Sequence, residues 1–141
     1  MNEFSFQELY YGQSESFRVT VTKELEDSFR MMTGDVNPLH LNDDFAQEVG
    51  NGKFRSHVTF GMLTASFYST LIGVYLPGKY SLIHSLDIKF QKPVFMGDEL
   101  TVMGEVTGLQ EELKLIQIRA TIKNQMSQKV SQADIKVLVM K

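Results

Sequence analysis

Apolar residues recur at helical spacing through much of the first half of the chain and at every second position from Ser81 onward. Residues 1–16 are polar with scattered aromatics (Phe4, Phe6, Tyr10, Tyr11) and read as an irregular lead-in, and Phe17 to Val21 alternates as a short strand. Thr22 has the character of a helix N-cap. Glu24 and Glu26 follow in the first turn, where free amides favour negative charge, and Leu25, Phe29 and Met32 keep helical spacing up to Gly34. Asn42-Asp43-Asp44 caps a second, short helix, with Phe45 and Val49 four apart and Gly50 at its end. From Val58 to Tyr75 there is no charge. A helix apolar on most sides is a buried one, so this stretch is expected to be the central helix. Within it Gly61, Ala65, Ser69 and Gly73 form a strip of small side chains, suited to close packing against a sheet or to the approach of a ligand.

Pro77-Gly78 closes that helix. Leu86, Ile88 and Phe90 then alternate with Asp87 and Lys89, and residues 99–107, 113–123 and 129–140 read as three more strands. Their short connections predict antiparallel neighbours. The expected fold class is α+β: one domain over residues 1–141, with an antiparallel sheet wrapped around the central helix. Free sheet edges predict a homodimer or higher homo-oligomer.

Composition narrows the chemistry. With no Cys there are no disulfides, thiol nucleophiles or thiolate metal sites, and the chain carries no sign of an oxidising compartment. The first residues lack a basic region followed by an apolar run, and no stretch is long and apolar enough to span a bilayer; a soluble, cytoplasmic protein with no membrane partner is expected. A net charge of −3 without a Lys/Arg block argues against nucleic acid. Lys53, Arg55, Lys79 and Lys92 are candidate phosphate contacts or ordinary surface charge. Asp43 and Asp44 stand in a cap and first turn rather than a metal site, His57 belongs to a polar loop that could touch an anionic ligand and is read as solvated, and His84 is a core or face histidine in a strand.

The stretch that carries chemistry is Thr33-Gly34-Asp35-Val36-Asn37-Pro38-Leu39-His40. Gly34 invites a turn and Pro38 forces Asn37 out of the helical region, so Asp35 and His40 sit on a stiffened irregular loop. Such a pair suits general acid/base work, while the same residues also fit a helix C-cap followed by an Asx-type turn. Gly61, near a helix start, lies where free amides can hold an oxyanion.

Four pieces together resemble the MaoC-like hot-dog dehydratases, and within them the R-specific enoyl-CoA hydratases: Gly34 to Leu41, Asp43 to Ala46, Gly61 to Ser66, and Phe90 to Asp98. The resemblance implies a hot-dog fold, a dimer and an acyl-CoA or acyl-carrier-protein thioester as ligand. It implies no metal and no cofactor beyond the coenzyme A of the substrate. It makes Asp35 and His40 a catalytic dyad that adds water across a 2-enoyl thioester, with Gly61 supplying the oxyanion amide, Asn37 shaping the loop or binding the dyad, and Ser69 supporting the site. Members of the family usually carry His where this chain has Phe60. Phe60, Met62 and Tyr68 are candidates for the acyl pocket, together with Phe67, Leu71 and Tyr75. The competing readings are a non-catalytic acyl-thioester binder or dehydratase partner subunit, which Phe60 encourages, and a thioesterase, which would want a carboxylate that the central helix lacks.

Overall fold

A computed structural model describes residues 1–141. Strand β1 (Ser14–Thr20) leads into helix α1 (Lys23–Thr33), a single 3-10 turn (Pro38–His40), and helix α2 (Asp43–Val49). Helix α3 (Gly61–Thr70) runs on into a π-helical turn (Leu71–Tyr75) and is followed by β2 (Ser81–Phe90), β3 (Glu99–Gln110), β4 (Leu115–Lys123) and β5 (Lys129–Val139). The sheet is wholly antiparallel, in the order β1-β3-β4-β5-β2. This is the expected hot-dog arrangement: the sheet curves around α3, and α1, α2 and the loops between them form an overhang at one end.

The caps act as the sequence suggests. Thr22 Oγ1 accepts from Leu25 N at 3.2 Å, and Asn42 Oδ1 accepts from Phe45 N at 2.9 Å. Three expectations need correction. The lead-in is not loose: Glu8 reaches back to Ser5 N and Oγ, and Phe6 and Leu9 are buried in the core. β1 begins at Ser14 because the inward positions of its first half include Glu15, whose polarity hides the alternation. β2 does not neighbour β3. The 91–98 connection hydrogen-bonds to Thr59 and turns on Asp98, so it passes across the sheet end and leaves β1 to pair with β3, while β2 pairs with β5.

Helix α3 starts three residues later than the uncharged stretch. Val58 and Thr59 stand outside the helix, with Val58 N donating to Leu39 O and Thr59 N to Val94 O. From α3 and its π-helical turn, Tyr68, Leu71 and Ile72 pack on Val102, Val106, Ile116, Ile118 and Ile135 of the sheet in one core. At about 25 cal/mol per Å² of apolar area, such burial is the main term holding helix to sheet. Gly104 sets the approach distance, since a Cβ there would lie 2.8 Å from Leu71 Cδ2 and 3.0 Å from Ile118 Cγ2. One polar chain crosses this core. Tyr68 donates its hydroxyl to Ser131 Oγ at 2.9 Å, and Ser131 donates to Lys89 O at 2.9 Å.

Edge strand β2 carries the inner face of the sheet beyond the cover of α3. Leu86 and Phe90, paired across from buried Ile135 and Ser131, are 44% and 52% exposed, and Met62 on the helix is 62% exposed.

Replacing Gly104 with Val should force Leu71 and Ile118 apart and cost about 1–3 kcal/mol, the usual range for overpacking. Urea denaturation would register this as a lowered midpoint with an unchanged slope.

Candidate active site

Helix α1 stops at Gly34, whose φ of 73° is left-handed and whose N–H returns to Arg30 O at 2.8 Å. The chain then turns twice on its own side chains. Asp35 Oδ1 accepts from Asn37 N at 3.0 Å, and Asn37 Oδ1 accepts from Leu39 N at 3.0 Å. The second bond opens the 3-10 turn that presents His40. The C-cap and Asx turn considered for this stretch are therefore both present, and they are how the loop holds its shape.

His40 is half-buried. Its Nδ1 lies 2.7 Å from Val58 O. A carbonyl only accepts, so Nδ1 carries the hydrogen, and in the neutral ring Nε2 is the nitrogen left to take a proton. The ring rests on Phe60, centroids 4.5 Å apart, and Phe60 in turn packs on Phe29 at 5.0 Å. His40 and Asp35 do not bond to each other: the imidazole is held by Val58, and the carboxylate, exposed to solvent, is held by Asn37 N.

Beside His40 a cavity of about 290 Å³ is lined by Gly61, Thr64, Phe90, Val94 and Val130, with Lys92 at its rim. Leu63 N and Thr64 N donate to Phe60 O, which leaves the Gly61 and Met62 amides without an intrahelical acceptor, so the Gly61 end offers a free N–H on the wall that His40 shares. A Cβ at Gly61 would stand 3.4 Å from the Phe90 ring and narrow the space.

Other expected pocket residues lie elsewhere. Phe60 is fully buried behind His40 and makes no part of the cavity wall. Tyr68 is buried too, its hydroxyl committed to Ser131, and burial pushes its phenol up to about 12, so it stays neutral. Met62 faces solvent. Ser69, two turns beyond Gly61 on the same strip, is also exposed, because only the first member of that strip reaches the cavity.

The basic loop resolves into separate contacts. Arg55 Nη2 lies 2.9 Å from Asp98 Oδ1 and its guanidinium covers the Phe95 ring. Asp98, almost fully buried, also accepts from Phe95 N and Gln125 Nε2. Asp98 thus fastens the connection that lines the cavity. His57 is not solvated. Its Nδ1 is 2.7 Å from Asp43 Oδ1 and its Nε2 is 2.9 Å from Glu26 Oε2, and Glu26 is only 6% exposed. Glu26 and His57 are 31 residues apart, and no local pattern marks either as a partner of the other. His84 is exposed at the β2 bulge.

The fold is that of the hot-dog dehydratases. The MaoC like domain model matches residues 10–131, and the chain belongs to that family. It is 35% identical over 116 residues to the (R)-specific enoyl-CoA hydratase of Rhodospirillum rubrum, covering 82% of this chain and 78% of that one. The (R)-specific enoyl-CoA hydratase of Aeromonas caviae is 42% identical over 85 residues, 60% of this chain and 61% of the relative. Among solved structures, the (R)-hydratase from A. caviae involved in PHA biosynthesis superposes with a TM-score of 0.87 at 32% identity, covering 94% of this chain and 98% of that one.

Truncating Phe60 to Ala would remove the surface on which the His40 ring rests. A stability loss of about 3–5 kcal/mol is expected from the cavity, visible as a lower melting temperature.

Proposed function

We propose that this protein is a hydro-lyase that reversibly adds water to 2-enoyl thioesters to give R-3-hydroxyacyl products. The observation that carries this reading is His40, with Nδ1 committed to Val58 O and Nε2 bare, on the wall of an apolar cavity it shares with the amide end of α3. In hydration the water oxygen bonds to C3 as the C2=C3 pair moves toward C1. Charge then builds on the thioester oxygen, where the Gly61 amide stabilises it as an oxyanion donor. The water gives up one proton to the dyad of His40 and Asp35, and a proton returns to C2. Dehydration runs the same steps backwards. Atoms and electrons balance with water alone, so the reaction as written calls on no metal and no redox cofactor.

Asn37 acts here through the loop, holding the turn that presents His40. Lys92 at the cavity rim is placed to meet a phosphate of coenzyme A or of a carrier-protein arm. The working unit is a homodimer. Leu86, Phe90 and Met62 form the uncovered apolar margin of each copy, and Phe90 also lines the cavity, so pairing there would close the site from one side.

Loss of enoyl-thioester absorbance with crotonyl-CoA and a longer 2-enoyl-CoA tests the reaction. Turnover is expected for the parent, with a fall of about 100-fold or more in kcat for His40→Ala and Asp35→Asn, the scale of a lost general acid/base. Retained crotonyl-CoA binding without turnover in the parent would instead favour an acyl-thioester binding module. Leu86→Glu should shift the protein to monomer in light scattering and lower turnover with it, whereas a dimer that persists would place the interface elsewhere.

A further inference from the structure

We propose that His57 is a positioning residue for this site: an imidazolium clamp that fastens the two helices flanking the Asp35–His40 loop to the segment that orients His40. The proposal rests on the reading of His40 as a reacting group. Its basis is connectivity. Glu26 lies on α1, before the loop, and Asp43 opens α2, just after it. His57 holds one with each ring nitrogen, at 2.9 and 2.7 Å. The adjacent backbone does the rest: His57 N donates to Asp43 Oδ1 at 2.9 Å, Val58 N donates to Leu39 O at 3.0 Å, and Val58 O receives the His40 Nδ1 hydrogen. Thr59 adds its hydroxyl to Glu26 Oε1 at 3.3 Å. The carbonyl that sets the His40 tautomer is thus one residue from the ring that ties α1 to α2.

With Glu26 and Asp43 ionised, the geometry also fixes the charge. Ionised carboxylates only accept, so a ring whose two nitrogens each face one must donate from both, which only the protonated form can do. A neutral ring would turn a lone pair on one of the carboxylates and release the helix that carries it.

The surroundings support this state. Burial alone pulls the His57 pKa down, but the hydrogen bond to Asp43 and the charge and hydrogen bond of Glu26 outweigh it, and the group titrates above its ordinary value. Lys23, Asp27 and Arg30 of α1 and His40 line the cleft that His57 borders. Asp27 is paired with both Lys23 and Arg30, and Arg55 on the same segment as His57 is paired with Asp98. Because the folded-state pKa is raised above the unfolded value of about 6.5, the clamp is complete below that value and is lost as pH rises through the folded pKa.

The test combines kinetics with histidine NMR on the parent, His57→Gln and Asp43→Asn. Crotonyl-CoA hydration by His57→Gln should fall about tenfold in kcat with KM within about twofold, the pattern of a misplaced reacting group. The alkaline loss of activity due to His57 should vanish from its profile. Asp43→Asn removes an exposed carboxylate and should keep the fold, yet move that alkaline loss to lower pH. The chain has three histidines, so ring nitrogen signals are readily separated. The parent should show His57 protonated on both nitrogens at neutral pH and His40 as the Nδ1–H tautomer, and His57→Gln should show His40 in mixed tautomers. A His57 ring neutral at neutral pH, an unchanged His40 tautomer in the variant, or a parent-like kcat and pH profile would overturn the proposal. If the parent does not hydrate crotonyl-CoA, the reaction assigned above is in question, and the clamp is judged on the NMR signals alone. Should His57→Gln fail to fold, Asp43→Asn decides.

Discussion

An uncharged helix must bury most of its surface, and the rest of this molecule is organised by that demand. α3 and its π-helical extension bring Tyr68, Leu71 and Ile72 to a sheet that bends around them, with Gly104 letting the helix settle close. Its N-terminal end is covered by a different device, the overhang built from α1, α2 and the loops that join them. Phe60 sits at that joint, touching Phe29 of α1 below and the His40 ring above. The site therefore lies where the helix emerges from the sheet and its first amides still have no partner in the helix.

The elements that were legible in the sequence are those set by local rules. Thr22 and Asn42 each cap the helix that follows, Gly34 and Gly50 end them, and the alternation of Ile116, Ile118, Ala120 and Ile122 makes a strand. Local rules do not say which strands meet. The placement of β2 beside β5 depends on a connection pinned by Asp98 and Thr59, through contacts that bridge distant parts of the chain. The same limit governed the site. Asp35, Asn37 and His40 stand together on one short loop and so could be read as candidates, whereas the Glu26–His57 contact spans α1, α2 and the approach to α3. Residues chosen for the acyl pocket by chemical type went astray for a related reason. Tyr68 and Phe60 are apolar enough to line a cavity and equally apt to fill a core, and helical phase relative to the sheet decides between the two.

Turn chemistry and acid/base chemistry are often weighed as rival explanations of a polar loop. Here one set of bonds makes the turn and also fixes where both titratable side chains stand. Asp35 spends one carboxylate oxygen on the Asn37 amide, Asn37 in turn starts the 3-10 turn, and that turn delivers His40 to the Val58 carbonyl. Stiffness in the loop is what lets an exposed carboxylate and a half-buried imidazole keep a fixed relation without bonding to each other.

The hydrogen-bond chain from Tyr68 through Ser131 to the Lys89 carbonyl works as a gauge of alignment. Ser131 both accepts and donates within it, so each group in the chain has one acceptable neighbour. A slip of β2 by a single residue against β5 would move the Lys89 carbonyl out of reach of Ser131 and leave a buried hydroxyl without an acceptor. Phe90 is the very next residue, and its ring stands over Gly61. The core thus measures the position of the last residue of an exposed edge strand, and with it the width of the cavity mouth.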